Sequence, residues 1–526
     1  MPDEPSAAGD EVSALRAANA RLREVVEAKD IEIAALRVAL EGERAARARQ
    51  GELIRRLELR VAELERRVGM DSGNSSTPPS KESLAAKARR EAARRASQRE
   101  RSRQRRPGGQ PGHQGSGLEP EQDPDRTEQA EPPSECRSCG AGLAGGQPAG
   151  RAWGQVWDIP PVRLEKVHWL LPKLRCRACG TVTTAGPPDG QAGTVVYGPN
   201  VNAAAVLLNS EGNVPVERTA MVMESLLGAP VSAGFVARAC ERLAGRLEQA
   251  GFDAAMKAAL RAELVVCADE TPVNVVRNTS EEGTVLAGSP HVVTVRTPDE
   301  RLIWYAATPS RSSEAIKALG VMDGYHGILV RDDYAGWAQF DAQLAGVQQC
   351  CQHLSRHLKG VHALHPDWQH WAEDVRQVLG DAHRAVRQAA RAGQDALDPG
   401  LLAELRDRYD QVVHWGEITN RLRDWDDGKN HPGYVLARRL KAKAEQVWLF
   451  TRDFAVPWTN NASEQAIKGP KRHQAVSGYW HTLATLARYC RVRSYLVTSR
   501  NHGIRPIDAI HAALTGKPWL PAPVSA

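Results

Sequence analysis

What the sequence lacks limits the kind of protein it encodes. No stretch of eighteen consecutive apolar residues occurs in the 526 residues, so no membrane-spanning helix is expected. No signal-peptide pattern is present either, which predicts a soluble, intracellular protein. A strong charge imbalance is missing, since 69 basic residues against 63 acidic ones give a net charge of only +6. A chain of this length should form roughly three or four domains.

Residues 11–68 follow a heptad pattern in one register. The a positions are Val12, Asn19, Val26, Ile33, Leu40, Arg47, Ile54, Val61 and Val68, and the d positions are Leu15, Leu22, Lys29, Leu36, Glu43, Gln50, Leu57 and Leu64. β-Branched a residues with leucine at d favour two strands, and Asn19 favours a parallel, in-register pair. Residues 1–70 are therefore predicted to form a coiled-coil homodimer. The alternative is a long helix that packs on its own chain.

A basic segment rich in glycine and proline is predicted at residues 71–135. Residues 81–106 hold eleven Lys or Arg against three acids, and residues 107–113 add glycine and proline. Such a segment can neutralise DNA phosphates while its backbone lies in a groove, or it can be a solvated tail. We predict a DNA-binding arm that includes Arg105 and Arg106. Residues 118–135, with seven acids against Arg126, are predicted to be a spacer.

Nine cysteines include two Cys-x-x-Cys pairs, Cys136 with Cys139 and Cys176 with Cys179. Each pair is followed by glycine, and four thiolates of this kind are typical of a tetrahedral zinc site. A redox motif is the alternative, although it would not need two copies. The sequence predicts one structural Zn²⁺ in a zinc ribbon at residues 136–190, with strands at residues 155–159 and 167–171 that bring the pairs together.

Helices are predicted at residues 201–209, 216–227 and 232–247 within a module at residues 191–255. The glycine- and proline-containing turn at residues 228–232 ends on Ser232, which is suited to cap the third helix. This punctuation is typical of a DNA-binding helix-turn-helix, and it also occurs in small helical bundles that do not bind DNA.

Three acids stand at the ends of predicted elements in the remaining sequence. Asp269 ends a buried strand, Asp332 ends a similar strand sixty-three residues later, and Glu464 lies at a capped helix start. The order of three strands, a helix and two strands matches a ribonuclease-H-like (RNase-H-like) α/β fold with a mixed five-stranded sheet. Three carboxylates of this kind suit two Mg²⁺ ions, although acids at strand ends are often only solvated turn residues.

The chain resembles transposases of the insertion-sequence 66 family, which use an Asp-Asp-Glu (DDE) triad. The matching motifs, besides the paired cysteines, occupy residues 74–80, 107–113, 268–272, 332–337, 350–353 and 460–464. The resemblance implies an RNase-H-like catalytic domain at residues 256–513, with a helical insertion at about residues 365–450 and a tail at 514–526. By position, Asp269, Asp332 and Glu464 would form the triad.

Some positions depart from the family pattern or leave alternatives open. The family usually has glycine where this chain has Asp333, so either aspartate could face the metal, and we choose Asp332. The basic residues after the third acid are expected to hold DNA phosphate; they are Lys468, Lys471 and Arg472. Cys350 and His353 match a Cys-x-x-His of the family, and both a ligand role and no such role stay open.

The predicted function is a Mg²⁺-dependent DNA transposase in the bacterial cytoplasm, associated with the nucleoid. Its partners would be double-stranded DNA, as element ends and target, and further copies of the chain in a homodimer or higher oligomer. Accessory proteins are a further partner class. Two alternatives are a regulatory DNA-binding protein without catalysis and a nuclease of the same fold. The three acids argue against the first, and the dimerising coiled coil argues against the second.

Overall fold

The computed structural model describes residues 7–75, 82–104, 112, 115, 117–186, 195–279 and 283–522. In chain order its helices are α1 Ala7–Gly69, α2 Leu84–Gln104, α3 Pro199–Val206, α4 Val216–Leu227, α5 Ala233–Gln249, α6 Phe252–Arg261, α7 Ser313–Ala318, α8 Ala335–Ala338, α9 Cys351–His362, α10 His370–Arg391, α11 Pro399–Arg421, α12 Pro432–Ala442, α13 Ala444–Trp448, α14 Asn461–Ser477, α15 Leu483–Asn501 and α16 Pro506–Leu514. Its strands are β1 Lys173–Arg175, β2 Val182–Thr184, β3 Val265–Pro272, β4 Val275–Arg277, β5 His291–Arg296, β6 Ile303–Thr308, β7 Ile328–Arg331, β8 Gly346–Gln349 and β9 Trp480–Thr482. Within the described ranges, no helix is both long and apolar enough to cross a membrane.

The chain divides into two compact units. The first comprises Met1–Ala86 and Gln348–Thr459, and the second comprises Lys87–Val347 and Asn460–Ala526.

In the first unit, α1 runs as one helix through the predicted heptad region. All apolar side chains at its a and d positions are exposed, as Leu36 at 63% and Ile54 at 55% illustrate. The predicted helix is confirmed, and its pairing with a second copy stays a prediction.

The C-terminal end of α1 packs within the first unit through a different face. This docking face consists of Leu59, Ala62, Glu63, Arg66 and Met70, which are buried or half-buried. These residues occupy heptad positions b, c and f, opposite the a and d positions. The two alternatives predicted from the heptad therefore do not compete here, because packing on its own chain leaves the a and d face exposed.

The helical insertion is held together by a buried polar network. Gln369 donates from Nε2 to Asn420 Oδ1 (2.6 Å), and the indole N–H of Trp371 donates to Gln369 Oε1 (2.6 Å). Gly416 allows this arrangement, because a Cβ at that position would lie 2.4 Å from the Trp371 ring. Helices fill residues 351–448, somewhat more than the predicted insertion.

The basic segment is a helix where it is described. Alanine and arginine are strong helix formers, and Ser83 Oγ accepts the Ala86 N–H (3.1 Å) at the start of α2. Residues 88–100 of this helix are exposed. The glycine and proline of the predicted arm follow this helix at residues 107–113, so the DNA-binding arm itself stays a prediction. Arg105, Arg106 and residues 107–111 lie outside the described residues.

The predicted strands at residues 155–159 and 167–171 are absent from this described region. No other element packs on their apolar side chains, as the exposures of Val156 (88%) and Leu170 (82%) show. Pairing the two segments would therefore bury little apolar surface. Instead, β1 and β2 pair antiparallel on the two sides of Cys176 and Cys179, where the tight turn sets their register.

The helices of the predicted helix-turn-helix module are present. Helix α4 has the predicted bounds and ends at Gly228, whose φ of 61° is left-handed. Ser232 caps α5 by accepting the Phe235 N–H (3.1 Å). Buried residues of α3 to α6 share one hydrophobic core with the sheet, among them Met223 and Phe252.

The five-stranded sheet has the order β6-β5-β3-β7-β8. Strand β3 pairs antiparallel with β5 and parallel with β7, so the sheet is mixed as predicted. Residues 265–268 are buried because helices cover both faces of the sheet. Val266 packs in the core with α5 and α6, while Val273 packs in a second core with α15.

Candidate active site on the central strands

Asp269 lies in the middle of β3. Its neighbour on one side is Thr294 of β5, whereas pairing with β7 on the other side ends at Cys267. The sequence predicted a strand that is stopped by Pro272 and carries this acid at its rim. The stop is confirmed, because pairing with β5 ends at Pro272, whereas the rim position is wrong, because that pairing continues three residues past Asp269. Asp269 is thus held by a paired backbone on one side and borders the end of β7 on the other.

Asp332 directly follows the last residue of β7, as predicted. The parallel register pairs Cys267 with Val330, and continuing it by two residues places Asp332 level with Asp269. If the alternation of side chains continued past Arg331, it would place both acids on one face of the sheet and Asp333 on the other. The Tyr334 N–H donates to Asp332 Oδ1 (2.9 Å), a local turn that fixes the carboxylate.

Glu464 lies in the first turn of α14, which is bound to the same face of the sheet. Asn460 precedes the helix, and its side chain makes no capping hydrogen bond within the described residues, contrary to the prediction of a capped start. The Asn460 amide instead bonds the strand that contains Asp269. The hydrogen bonds that join helix and sheet include Asn460 Nδ2 to the Ala268 carbonyl (2.7 Å), Arg296 Nη1 to the Ala462 carbonyl (3.0 Å) and the Tyr305 hydroxyl to the Ala466 carbonyl (3.0 Å).

The acids act on one another electrostatically, although in the described residues the carboxylates of Asp269, Asp332 and Glu464 are not gathered within 4.8 Å of one another. Burial raises the pKa of Asp269 well above its usual range, and the negative charges of Glu270, Asp332 and Glu464 raise it further. A bound cation would relieve this repulsion, and carboxylate oxygens are the ligands that Mg²⁺ prefers. The residue types of the three predicted acids suit a divalent metal, and both the metal site and their catalytic role stay predictions.

A fourth acid, Glu270, was not selected from the sequence. Burial and the charge of Asp332 raise its pKa to about 7, while hydrogen bonds from Trp337 and Arg311 act in the opposite direction. Its signal in the sequence was an acid inside a buried strand, where a carboxylate requires a partner.

The predicted DNA-binding cations differ in their surroundings. Lys468 is exposed and donates to Gln465 Oε1 (2.8 Å), and Arg472 is exposed. Lys471 donates from Nζ to the Pro272 carbonyl, so it also helps to hold α14 against β3. Their contacts with DNA, like those of Arg105 and Arg106, stay predictions.

Each Cys-x-x-Cys pair forms a tight turn, and hydrogen bonds in the turn favour the thiolate form of one of its two cysteines. Gly140 and Gly180 adopt left-handed φ values of 72° and 74°. The Cys139 N–H is the main group that lowers the pKa of the Cys136 thiol, and the Thr181 hydroxyl does so for Cys179. In the described residues, however, the four thiols are not gathered within 4.8 Å of one another.

Cys350 and His353 belong to the first unit. Cys350 is 1% exposed and precedes α9, and His353 lies in the first turn of that helix. Nothing within this unit decides between a ligand role and a structural role.

Comparisons with known proteins agree with the resemblance seen in the sequence. Residues 194–487, more than half of the chain, match the Transposase IS66 family, and residues 133–180 match the zinc-finger binding domain of transposase IS66. Residues 11–119 match a family of unknown function, DUF6444. No curated protein matches the sequence significantly.

A solved structure titled Drosophila P element transposase strand transfer complex is also similar. The two chains are 11% identical, and the match covers 60% of this chain and 94% of the Drosophila chain. The TM-score of 0.28 is too low to show a common fold. The family matches span the sheet, the helical module and the cysteine turns. This chain is a DNA transposase with a zinc-finger domain, and it belongs to the IS66 transposase family.

Proposed function

We propose that Asp269, Asp332 and Glu464 hold two Mg²⁺ ions with which this transposase cuts the ends of its element and joins them to target DNA. The observation that carries the proposal is that Asp332 follows β7 level with Asp269 of the neighbouring strand β3, and that the charges of Asp332 and Glu464 both raise the pKa of Asp269. The strand order around them supports an RNase-H-like catalytic domain.

The chain's own residues orient the acids. Strand β5 fixes the backbone of Asp269, the Tyr334 N–H turns Asp332, and Asn460 places the start of α14 beside Ala268. Bound divalent ions would activate water or a 3′-hydroxyl and stabilise charge on the attacked phosphate.

The test is cleavage of labelled DNA that contains the element ends by Asp269→Asn, Asp332→Asn and Glu464→Gln. Each should lose at least about a hundredfold in cleavage rate, since each removes an anionic metal ligand. Binding to DNA ends should persist, and stability without metal should not fall, because each change also removes like-charge repulsion.

Asp333→Asn is the matched control, because it removes the same charge from the next residue of the same turn. If Asp333→Asn is inactive while Asp332→Asn is active, our choice of the second acid is wrong. A parent protein that binds ends but never cuts them would support the regulatory alternative. Cutting without joining to target DNA would support the nuclease.

The other modules are proposed to assemble the complex. The a and d face of α1 would pair with a second copy, and Cys136, Cys139, Cys176 and Cys179 would bind one structural Zn²⁺. Helices α2 and α5 and the residues after Glu464 would contact duplex DNA of the nucleoid through their basic side chains.

A further inference from the structure

Glu270 is a buried acid on the face of the sheet opposite Asp269, and its side chain is only 4% exposed. Both of its oxygens are engaged. Oε2 accepts the indole N–H of Trp337 (2.8 Å), and Oε1 accepts an N–H of Arg311 (2.9 Å). Arg311 lies between β6 and α7, and Trp337 lies in α8. Glu270 thus joins the central strand to two other segments of the second unit.

The same partners reach the turn that orients Asp332. The Arg311 guanidinium lies 3.5 Å from the centre of the Tyr334 ring, and the Tyr334 hydroxyl donates to the Arg311 carbonyl. Tyr334 also supplies the N–H that bonds Asp332 Oδ1. Trp337 holds the other end of this turn to Glu270.

The turn itself has little freedom. A Cβ at position 336 would lie 2.4 Å from the Tyr334 ring, so a side chain there would displace the tyrosine. The contacts form a closed path from Glu270 through Arg311 and Tyr334 to Trp337 and back to Glu270. Asp332 is attached to this path by its hydrogen bond from Tyr334.

We propose that Glu270 is a positioning residue for the second catalytic acid, acting through Arg311, Tyr334 and Trp337 to hold the Asp332 carboxylate where it can bind a metal. This inference rests on the proposed metal site. Glu270 lies on the face of the sheet opposite Asp269, and both of its oxygens bind neighbouring segments, so it can act as the outer partners of metal ligands do.

The test is Mn²⁺ binding to the full-length, zinc-loaded protein, followed by electron paramagnetic resonance without DNA. Glu270→Gln keeps the size of the side chain but removes its charge. It should weaken Mn²⁺ binding about tenfold, the equivalent of one lost charge-assisted hydrogen bond, while the number of bound ions stays the same. Trp337→Phe, which removes the indole N–H, should act in the same direction.

Two further variants separate positioning from general stability. Glu263→Gln is the matched control, because Glu263 pairs with Arg301 (2.9 Å) before β3, and this variant should bind Mn²⁺ like the parent. Arg311→Lys keeps the positive charge and should lose less affinity than Arg311→Ala.

Parent-like Mn²⁺ affinity in both Glu270→Gln and Trp337→Phe would overturn the proposal. Loss of one bound ion in Glu270→Gln would also overturn it, because Glu270 would then be a ligand. If Glu270→Gln does not fold, Trp337→Phe decides by the same measurement. Asp269→Asn tests the proposed metal site separately from the role of Glu270. If this variant also binds Mn²⁺ like the parent, the proposed metal site itself is wrong.

Discussion

Replacing Glu63 by glutamine should release the C-terminal end of α1 from the helical insertion. The Glu63 carboxylate is 6% exposed and accepts hydrogen bonds from Arg66 (2.7 Å), Arg67 (2.7 Å) and the indole N–H of Trp425 (3.1 Å). The guanidinium of Arg66 is the main cause that lowers its pKa from 4.5 to about 2. Glutamine has the same size, but it has no charge and only one accepting oxygen.

The pKa sets an upper limit on the size of the effect. A depression from 4.5 to about 2 corresponds to at most about 3 kcal/mol of stabilisation at neutral pH. Because the folded pKa lies below the unfolded one, this stabilisation is fully present above pH 4.5 and is lost as the pH falls towards 2. Only the bond from Trp425 crosses from α1 to the insertion, because Arg66 and Arg67 lie on α1 itself and keep their bonds to Glu63 when this contact opens. Above pH 4.5 the variant should therefore open the contact roughly tenfold more often than the parent, as expected for one weakened charge-assisted hydrogen bond.

Hydrogen exchange of the full chain measures this opening directly, in peptides that cover residues 55–70 and 420–432. Glu52→Gln is the control, because Glu52 is an exposed carboxylate on the same helix, outside the docking face and outside the a and d positions. If Glu63→Gln and Glu52→Gln exchange alike at neutral pH, or if their difference persists below pH 2, the reasoning is refuted.

Two further predictions concern the N-terminal modules. Asn19→Leu should stabilise the dimer of α1 while blurring its oligomeric state, and sedimentation of an isolated segment of residues 11–68 as a monomer at roughly tens of micromolar would contradict the dimer. Cys176→Ser should unfold the zinc-finger domain locally and weaken DNA binding while the acids stay intact, because the binding energy of a structural zinc site is folding energy. Metal analysis tests this, and unchanged zinc in the variant would contradict it.

Local and periodic signals predicted much of the fold. The bounds of α4, the Ser232 cap and the order along the chain of the sheet strands and α7 followed from hydrophobic pattern and capping chemistry. The sixty-three-residue offset between Asp269 and Asp332 is also the register of β3 with β7, since residues 265 and 328 pair. Two similar buried strands that pair in register are therefore recognisable in the sequence as a repeated pattern.

Contacts between polar residues that are far apart in the sequence could not be predicted from such patterns. Glu63 and Trp425 are 362 residues apart, and the docking face of α1 contains charged residues where an apolar stripe would be the usual signal. Asn460 looked like a helix cap because capping is local, but its amide bonds a strand 192 residues away. The partners of Glu270 were hidden for the same reason, as Trp337 and Arg311 come from other elements.

The most direct test of the central claim replaces Mg²⁺ by Fe²⁺ and generates hydroxyl radicals, which cut the polypeptide next to the bound ion. If Asp269, Asp332 and Glu464 hold the ions, the parent should be cut near all three residues, and added Mg²⁺ should suppress all three cuts together. Cuts near only one of these acids, or at positions that Mg²⁺ does not protect, would contradict a single site built from the three.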